Sequence, residues 1–198
     1  MKPAVVLRNL NLFYGDRPVI HDVSFTVEQG DFFIIIGPNG SGKTTLVKAI
    51  VGLVKVRSGC VEISGRPIET LSGKELAYRI AVVPQFPPMD ISFTVAELVV
   101  MGRSPHLGML GLERTKDFEI AREALSITKL DHLAERKLDQ LSAGERQLVL
   151  IARAICQQAQ IVVLDEPTAS LDLAHQIRIM DLMEKLRRDE GITVIMVS

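Results

Sequence analysis

The sequence predicts an α/β fold: a mainly parallel sheet covered by helices on both faces, preceded by a small antiparallel sheet and interrupted by an inserted helical subdomain. Three observations carry this. Residues 32–54 run strand, glycine loop, helix; short apolar runs alternate with amphipathic stretches towards the C-terminal end; and residues 93–138 are dominated by helix formers and charges.

The first stretch alternates strand-like segments with turn signals. Residues 4–10 and 19–27 flank a turn at Gly15-Asp16, and Gly30-Asp31 precedes the apolar run 32–36. This suggests an antiparallel sheet feeding a central strand. From residue 42 to about 54, Leu46, Ile50 and Leu53, with Val47 and Val54 beside them, have helical spacing. Residues 61–63 and 80–83 are short strands, the second closed by Pro84. Helical stretches at 95–101 and 117–125 are separated by the Gly/Pro-rich segment 102–111. A helix at 143–156, a strand at 161–164, a helix at 173–188 and a strand at 192–197 complete the pattern. We assign residues 1–198 to one domain with a helical subdomain at about 93–140, and find no internal repeat or low-complexity tract.

Composition narrows the function classes. With 47% apolar residues the chain has ample material for a core. Its 23 basic and 24 acidic side chains leave a net charge of -1, so no sequence-wide positive field attracts a phosphate backbone, and no nucleic-acid partner is expected. Cys60 and Cys156 are too few for a disulfide framework or a metal cluster, and read as buried or indifferent thiols of a reducing cytosol. The N-terminal residues lack the apolar stretch of a secretion signal. The apolar runs fall far short of the roughly 20 residues of a spanning helix.

Gly37-Pro38-Asn39-Gly40-Ser41-Gly42-Lys43-Thr44 fits the phosphate-loop pattern and stands between a strand and a helix, the context that pattern needs. The core thus resembles that of a P-loop NTPase. Glycines let backbone N–H groups turn inward around a phosphate, and the helix adds its positive end. Lys43 suits the β and γ oxygens, Thr45 continues the cradle, and the Thr44 hydroxyl suits Mg²⁺, a hard cation that prefers oxygen. The apolar run 161–164 ends in Asp165-Glu166, at the carboxyl end of a strand where ligands gather in open α/β sheets. Asp165 can then approach the Mg²⁺ shell, and Glu166 can orient a water at the terminal phosphate of ATP. Ser142, with Glu145 three residues on, forms a capping box at the start of a helix. That box explains the residues by itself, yet a hydroxyl, bare backbone N–H groups around Gly144 and a positive helix end also make a second anion site.

Together these motifs resemble the nucleotide-binding subunit of an ABC transporter: the glycine loop, Gln85 after a strand, Leu141-Ser142-Ala143-Gly144-Glu145, Asp165-Glu166, then Ala169-Ser170-Leu171-Asp172. The resemblance implies that Gln85 ligates Mg²⁺ and senses a transmembrane subunit. It implies that Ser142 and Gly144 bind the γ-phosphate of ATP held by a second subunit, with Asp172 at the junction. Tyr14 matches the position of an aromatic ring stacked on adenine; packing of a half-buried tyrosine is the plain alternative. A homodimer beneath two transmembrane permease subunits, served by an extracytoplasmic substrate-binding protein and lying on the cytoplasmic face of the membrane, follows from the same resemblance. Met101-Gly102-Arg103-Ser104-Pro105-His106-Leu107-Gly108 resembles a segment of importers for iron chelates, haem and cobalamin, and residues 86–93 suit a docking groove for a membrane subunit.

Two departures stand out. Ala143 and Glu145 replace the commoner glycine and glutamine of the signature. The sequence stops at Ser198, before the family's switch histidine and further C-terminal elements, so it reads as C-terminally incomplete and is expected to bind ATP while hydrolysing it poorly. His21, His106, His132 and His175 match no catalytic position and are expected in solvated or structural roles. Two other readings are a soluble ABC ATPase of metal-cluster assembly or DNA repair, and a nucleotide-binding scaffold that does not hydrolyse.

Overall fold

Pro3–Tyr14 (β1) and Arg17–Glu28 (β2), both rich in β-branched and large apolar residues, pair as antiparallel strands. The computed structural model describes residues 2–15, 17–85, 93–108, 111–169 and 171–198, without the side chain of Tyr14. Phe32–Ile35 (β3) leads through the glycine loop into Lys43–Ile50 (α1). Ser58–Ile63 (β4) and Arg66–Pro67 (β5) return to the first sheet, whose order is β2-β1-β4-β5. Gly73–Ala77 (α2) precedes Ile80–Val83 (β6). The helical part contains Val95–Val100 (α3), a 3₁₀ turn at Met101–His106 and Thr115–Thr128 (α4). Ala143–Cys156 (α5), Ile161–Asp165 (β7), Leu173–Glu190 (α6) and Thr193–Val197 (β8) follow.

The second sheet is parallel throughout, in the order β3-β8-β7-β6. Its central strands are buried on both faces, and the pleat divides their side chains between two cores. Val162, Leu164 and Val194 face the helices, packing with Leu98, Leu148, Ile151 and Ile179. Ile161, Val163, Ile195 and Val197 face the other way, onto Leu46 and Ile50 of α1 and onto Leu7, Leu10 and Ile63 of the antiparallel sheet. Helix α1 is thus clamped between the two sheets, which holds the loop before it over the carboxyl ends of β7 and β8.

The structure corrects several expectations. The run 32–36 is not central: β3 pairs only with β8 among the described residues and lies at the sheet edge, because β7 and β8 occupy the middle. Helix α1 ends at Ile50, not Val54, because Gly52 takes a positive φ of 72° and Leu53 points outward at 73% exposure. Helix α2, capped reciprocally by Ser72 and Glu75, went unread for want of apolar periodicity in five residues. The segment expected to interrupt the helical part begins as an ordered 3₁₀ turn, though Met109 and Leu110 lie outside the described residues.

Candidate nucleotide site

The loop between β3 and α1 is shaped by glycine. Gly40 and Gly42 have φ of 80° and 94°, left-handed conformations that cost an L side chain about 1–2 kcal/mol. A Cβ on Gly42 would also lie 2.8 Å from Ile20 Cδ1 and 3.0 Å from the Val19 carbonyl. Gly42 is the N-cap of α1 and offers no side chain to cap it, and the first turn holds no acid. The leading N–H groups therefore face the loop with the helix dipole behind them, a ready seat for an anion.

Lys43 is only 7% exposed. Its ammonium donates to the carbonyls of Gly37 at 2.7 Å and Pro38 at 3.2 Å, and lies 3.4 Å from Glu166 Oε1. Strand register brings the acids to it. Asp165 shares the face of β7 occupied by Ile161 and Val163, the face towards α1, so its carboxylate meets α1: Thr44 Oγ1 donates to Asp165 Oδ1 at 3.2 Å. Burial pushes the Asp165 carboxyl above the ordinary aspartate range, and the Glu166 charge adds to the push; the Thr44 hydrogen bond and the charges of Lys48 and Lys43 oppose it.

Glu166 follows in the left-handed region, φ 46°, and its N–H donates to Val197 O at 3.0 Å. Such backbone persists only where surroundings over-determine it, and it is concentrated at functional sites. Here it turns the side chain off the strand. Oε2 of Glu166 accepts from Gln85 Nε2 at 2.7 Å, while Oε1 faces Lys43. Ser198 closes the site from β8: its N–H donates to Ile35 O at 3.0 Å and its carbonyl accepts from Gly37 N at 3.3 Å.

Lys43, Thr44, Gln85, Asp165 and Glu166 are thus brought together, as the sequence expects of them. Gln85 is directed to Glu166 and not to the Thr44–Asp165 pair. Among the described residues no group of three His, Cys, Asp or Glu side chains is placed to hold a metal; a hydroxyl and one carboxylate suit Mg²⁺, which keeps waters and phosphate oxygens as its other ligands. The stacking role expected of Tyr14 concerns a side chain outside the described part; of the groove expected at residues 86–93, residues 86–92 lie outside it, as does Ser170.

Among the described residues no hydrogen bond or ion pair joins Ser142 or Gly144 to this cluster. Ser142 caps α5 as expected: its hydroxyl accepts from Glu145 N–H at 3.3 Å and donates to Glu145 Oε2 at 2.7 Å. The hydroxyl of Ser142 and then its backbone N–H, which donates to Oε2 at 2.8 Å, hold the Glu145 carboxyl below its ordinary range. Ala143 is the first helical residue, so alanine in place of glycine carries no left-handed cost.

His175 was expected in a solvated or structural role. The role is structural: its ring packs on Gly144 and is held by Asp172. The Asp-x-x-His spacing at a helix start was the available signal.

A family model described as ABC transporter matches residues 20–169. The chain belongs to the ABC transporter family. It is 39% identical over 188 residues to the iron(3+)-hydroxamate import ATP-binding protein FhuC of Bacillus subtilis, covering 95% of this chain and 70% of the relative. It is 40% identical over 194 residues to the achromobactin transport ATP-binding protein CbrD of Dickeya dadantii, covering 98% of this chain and 72% of the relative. The dimeric structure of MJ0796, a bacterial ABC transporter cassette, superposes with a TM-score of 0.84 at 30% identity, covering 98% of this chain and 87% of that one. The chain is therefore an ABC-type ATP-binding subunit. Among the described residues no helix is long and apolar enough to cross a membrane.

Proposed function

We propose that this ABC ATPase drives import of an iron chelate, haem or cobalamin, working as a homodimer at the cytoplasmic face of the membrane. Two permease subunits would lie above it, with an extracytoplasmic binding protein delivering cargo. Support for an iron chelate comes from the names of relatives near 40% identity, and the Met101 to Gly108 segment supports the wider class. We read residues 1–198 as a single ATP-binding unit whose helical part spans about 93–140. The single observation that carries the catalytic reading is the convergence of Lys43, Glu166 and the Thr44–Asp165 pair at one loop.

On this reading the loop N–H groups of Gly40, Ser41, Gly42 and Lys43 wrap the β-phosphate, with Gly37, Pro38 and Asn39 shaping the turn and Thr45 continuing it. Lys43 exchanges the carbonyls of Gly37 and Pro38 for phosphate oxygens, to which its charge is better matched. Thr44 and Asp165, joined by Gln85 as the family resemblance implies, would hold Mg²⁺, which neutralises charge on the β and γ oxygens when bound. Freed of its ion pair, Glu166 accepts a hydrogen bond from the attacking water and aims it. Tyr14 stacks on adenine. Ser142 and Gly144, which do not reach Lys43 within one chain, meet the γ-phosphate held by a second copy.

The test is substitution at the loop and at the acid. Lys43→Ala is expected to weaken binding of a fluorescent ATP analogue by at least about tenfold, a loss of roughly 1.4 kcal/mol. Glu166→Gln is expected to leave binding intact and cut phosphate release by about 10²-fold or more. Unchanged binding in the first, or unchanged turnover in the second, overturns the reading. Copurification with hydrophobic membrane subunits tests the transporter assignment, and its failure would favour a soluble ABC ATPase.

A further inference from the structure

The starts of α5 and α6 touch through one side chain. Asp172 caps α6, accepting from the His175 backbone N–H at 2.9 Å, and both its carboxylate oxygens lie 3.0 Å from His175 Nδ1. The imidazole is thereby held against Gly144, so closely that a Cβ there would overlap the ring at Cδ2 and Cγ. Gly144 has ordinary helical backbone as the second residue of α5, so glycine is required here by space and not by φ. The ring also bridges two parts of the fold: α5 packs with α3 and α4, whereas the turn before α6 follows directly from the β7 acids.

We infer that His175 is a positioning residue that locks the Ser142-Ala143-Gly144 turn to the Asp172 turn, so that both meet a second copy's triphosphate as one preformed surface. This rests on the role proposed above for Ser142 and Gly144. A helix start that pivots must be ordered at each encounter, whereas a pinned one is ordered in advance, and the difference appears as affinity between copies rather than as affinity within one chain.

The experiment uses the full chain carrying Glu166→Gln, with ATP-driven dimerisation followed by light scattering and single-chain binding by mant-ADP fluorescence. The Glu166→Gln protein is expected to dimerise with ATP; if it stays monomeric, the second-copy reading itself falls, and the inference with it. Given dimers, His175→Ala is expected to raise the ATP concentration at half-dimerisation about tenfold while mant-ADP affinity stays within about twofold. His175→Gln, which retains an N–H for Asp172, is expected to recover most of that loss. Gly144→Ala is expected to be about fivefold less harmful in the His175→Ala background than alone, since the ring it collides with is gone. Equal half-points for His175→Ala and its parent, strictly additive effects with Gly144→Ala, or a parallel loss of mant-ADP binding would each overturn the assignment.

Discussion

At the scale of single residues, the site is a set of polar groups that hold one another through hydrogen bonds and one ion pair. Lys43 is satisfied by two loop carbonyls and Glu166, and Glu166 by Lys43 and Gln85, so both of these charges have partners. Asp165 is the exception, because its burial outweighs the hydroxyl and the distant lysines. Its raised pKa means the folded protein binds this proton more tightly than the unfolded chain. The contribution to stability is therefore present at low pH and lost as pH rises through the raised value. Asp165→Asn is accordingly expected to raise the melting temperature of the nucleotide-free protein at neutral pH, with the gain vanishing in acid. Mg²⁺-dependent nucleotide affinity should move the other way, falling as pH drops through the same window and flattening in the variant. Thermal melts and titrations across pH, with and without Mg²⁺, check both. The thiol of Cys156 takes no part: burial pushes it up to about 11, which keeps it protonated and inert.

At the scale of elements, the turn Met101–His106 does more than connect two helices. Gly102 lets it lie directly on α5, where a Cβ would overlap the Arg153 carbonyl. The buried Arg103 guanidinium donates to Asp117 Oδ1 at 3.0 Å, and to Cys156 O and Gln158 Oε1 at 2.9 Å each. His106 Nε2 lies 2.8 Å from Gln157 O, and the Gln157 amide donates to Ala77 O and Ile80 O at 2.6 and 2.8 Å. One short turn thus ties α4, the end of α5 and the strand leading to Gln85. Removing one side of a buried pair strands the other, so Arg103→Ala is expected to cost about 3–5 kcal/mol in urea unfolding, and Arg103→Lys to rescue it only in part. The Asp117 carboxyl is held below the ordinary aspartate range, first by the Arg114 backbone N–H and then by Arg103. Its contribution is complete above that ordinary range and lost as pH falls through the lowered value, so Asp117→Asn should remove that portion of the acid sensitivity. The turn was read from sequence as an interruption because Gly and Pro report a break in periodicity, not what the broken segment packs against.

At the scale of the whole molecule, two cores share one parallel sheet, and the sheet has an open apolar edge among the described residues. Ile34 on β3 is 43% exposed and Ile36 is 81% exposed, and unpaired strand edges of this kind invite association. Ile34→Lys is expected to reduce concentration-dependent aggregation in light scattering without weakening mant-ADP binding. The motif order, the α/β class and the grouping of Lys43, Thr44, Asp165 and Glu166 were legible because each depends on local chemistry: glycine spacing, apolar runs and the pleat that sets every second side chain on one face. Sequence alone determined which chemistry the chain can perform. Only the tertiary structure decided that β3 lies at an edge, that Gln85 meets Glu166, that Arg103 is buried and that His175 rests on Gly144. Those are contacts between segments distant in sequence, created by strand order and helix docking, and no local pattern of residue types encodes which of many chemically acceptable partners the packed chain brings within reach.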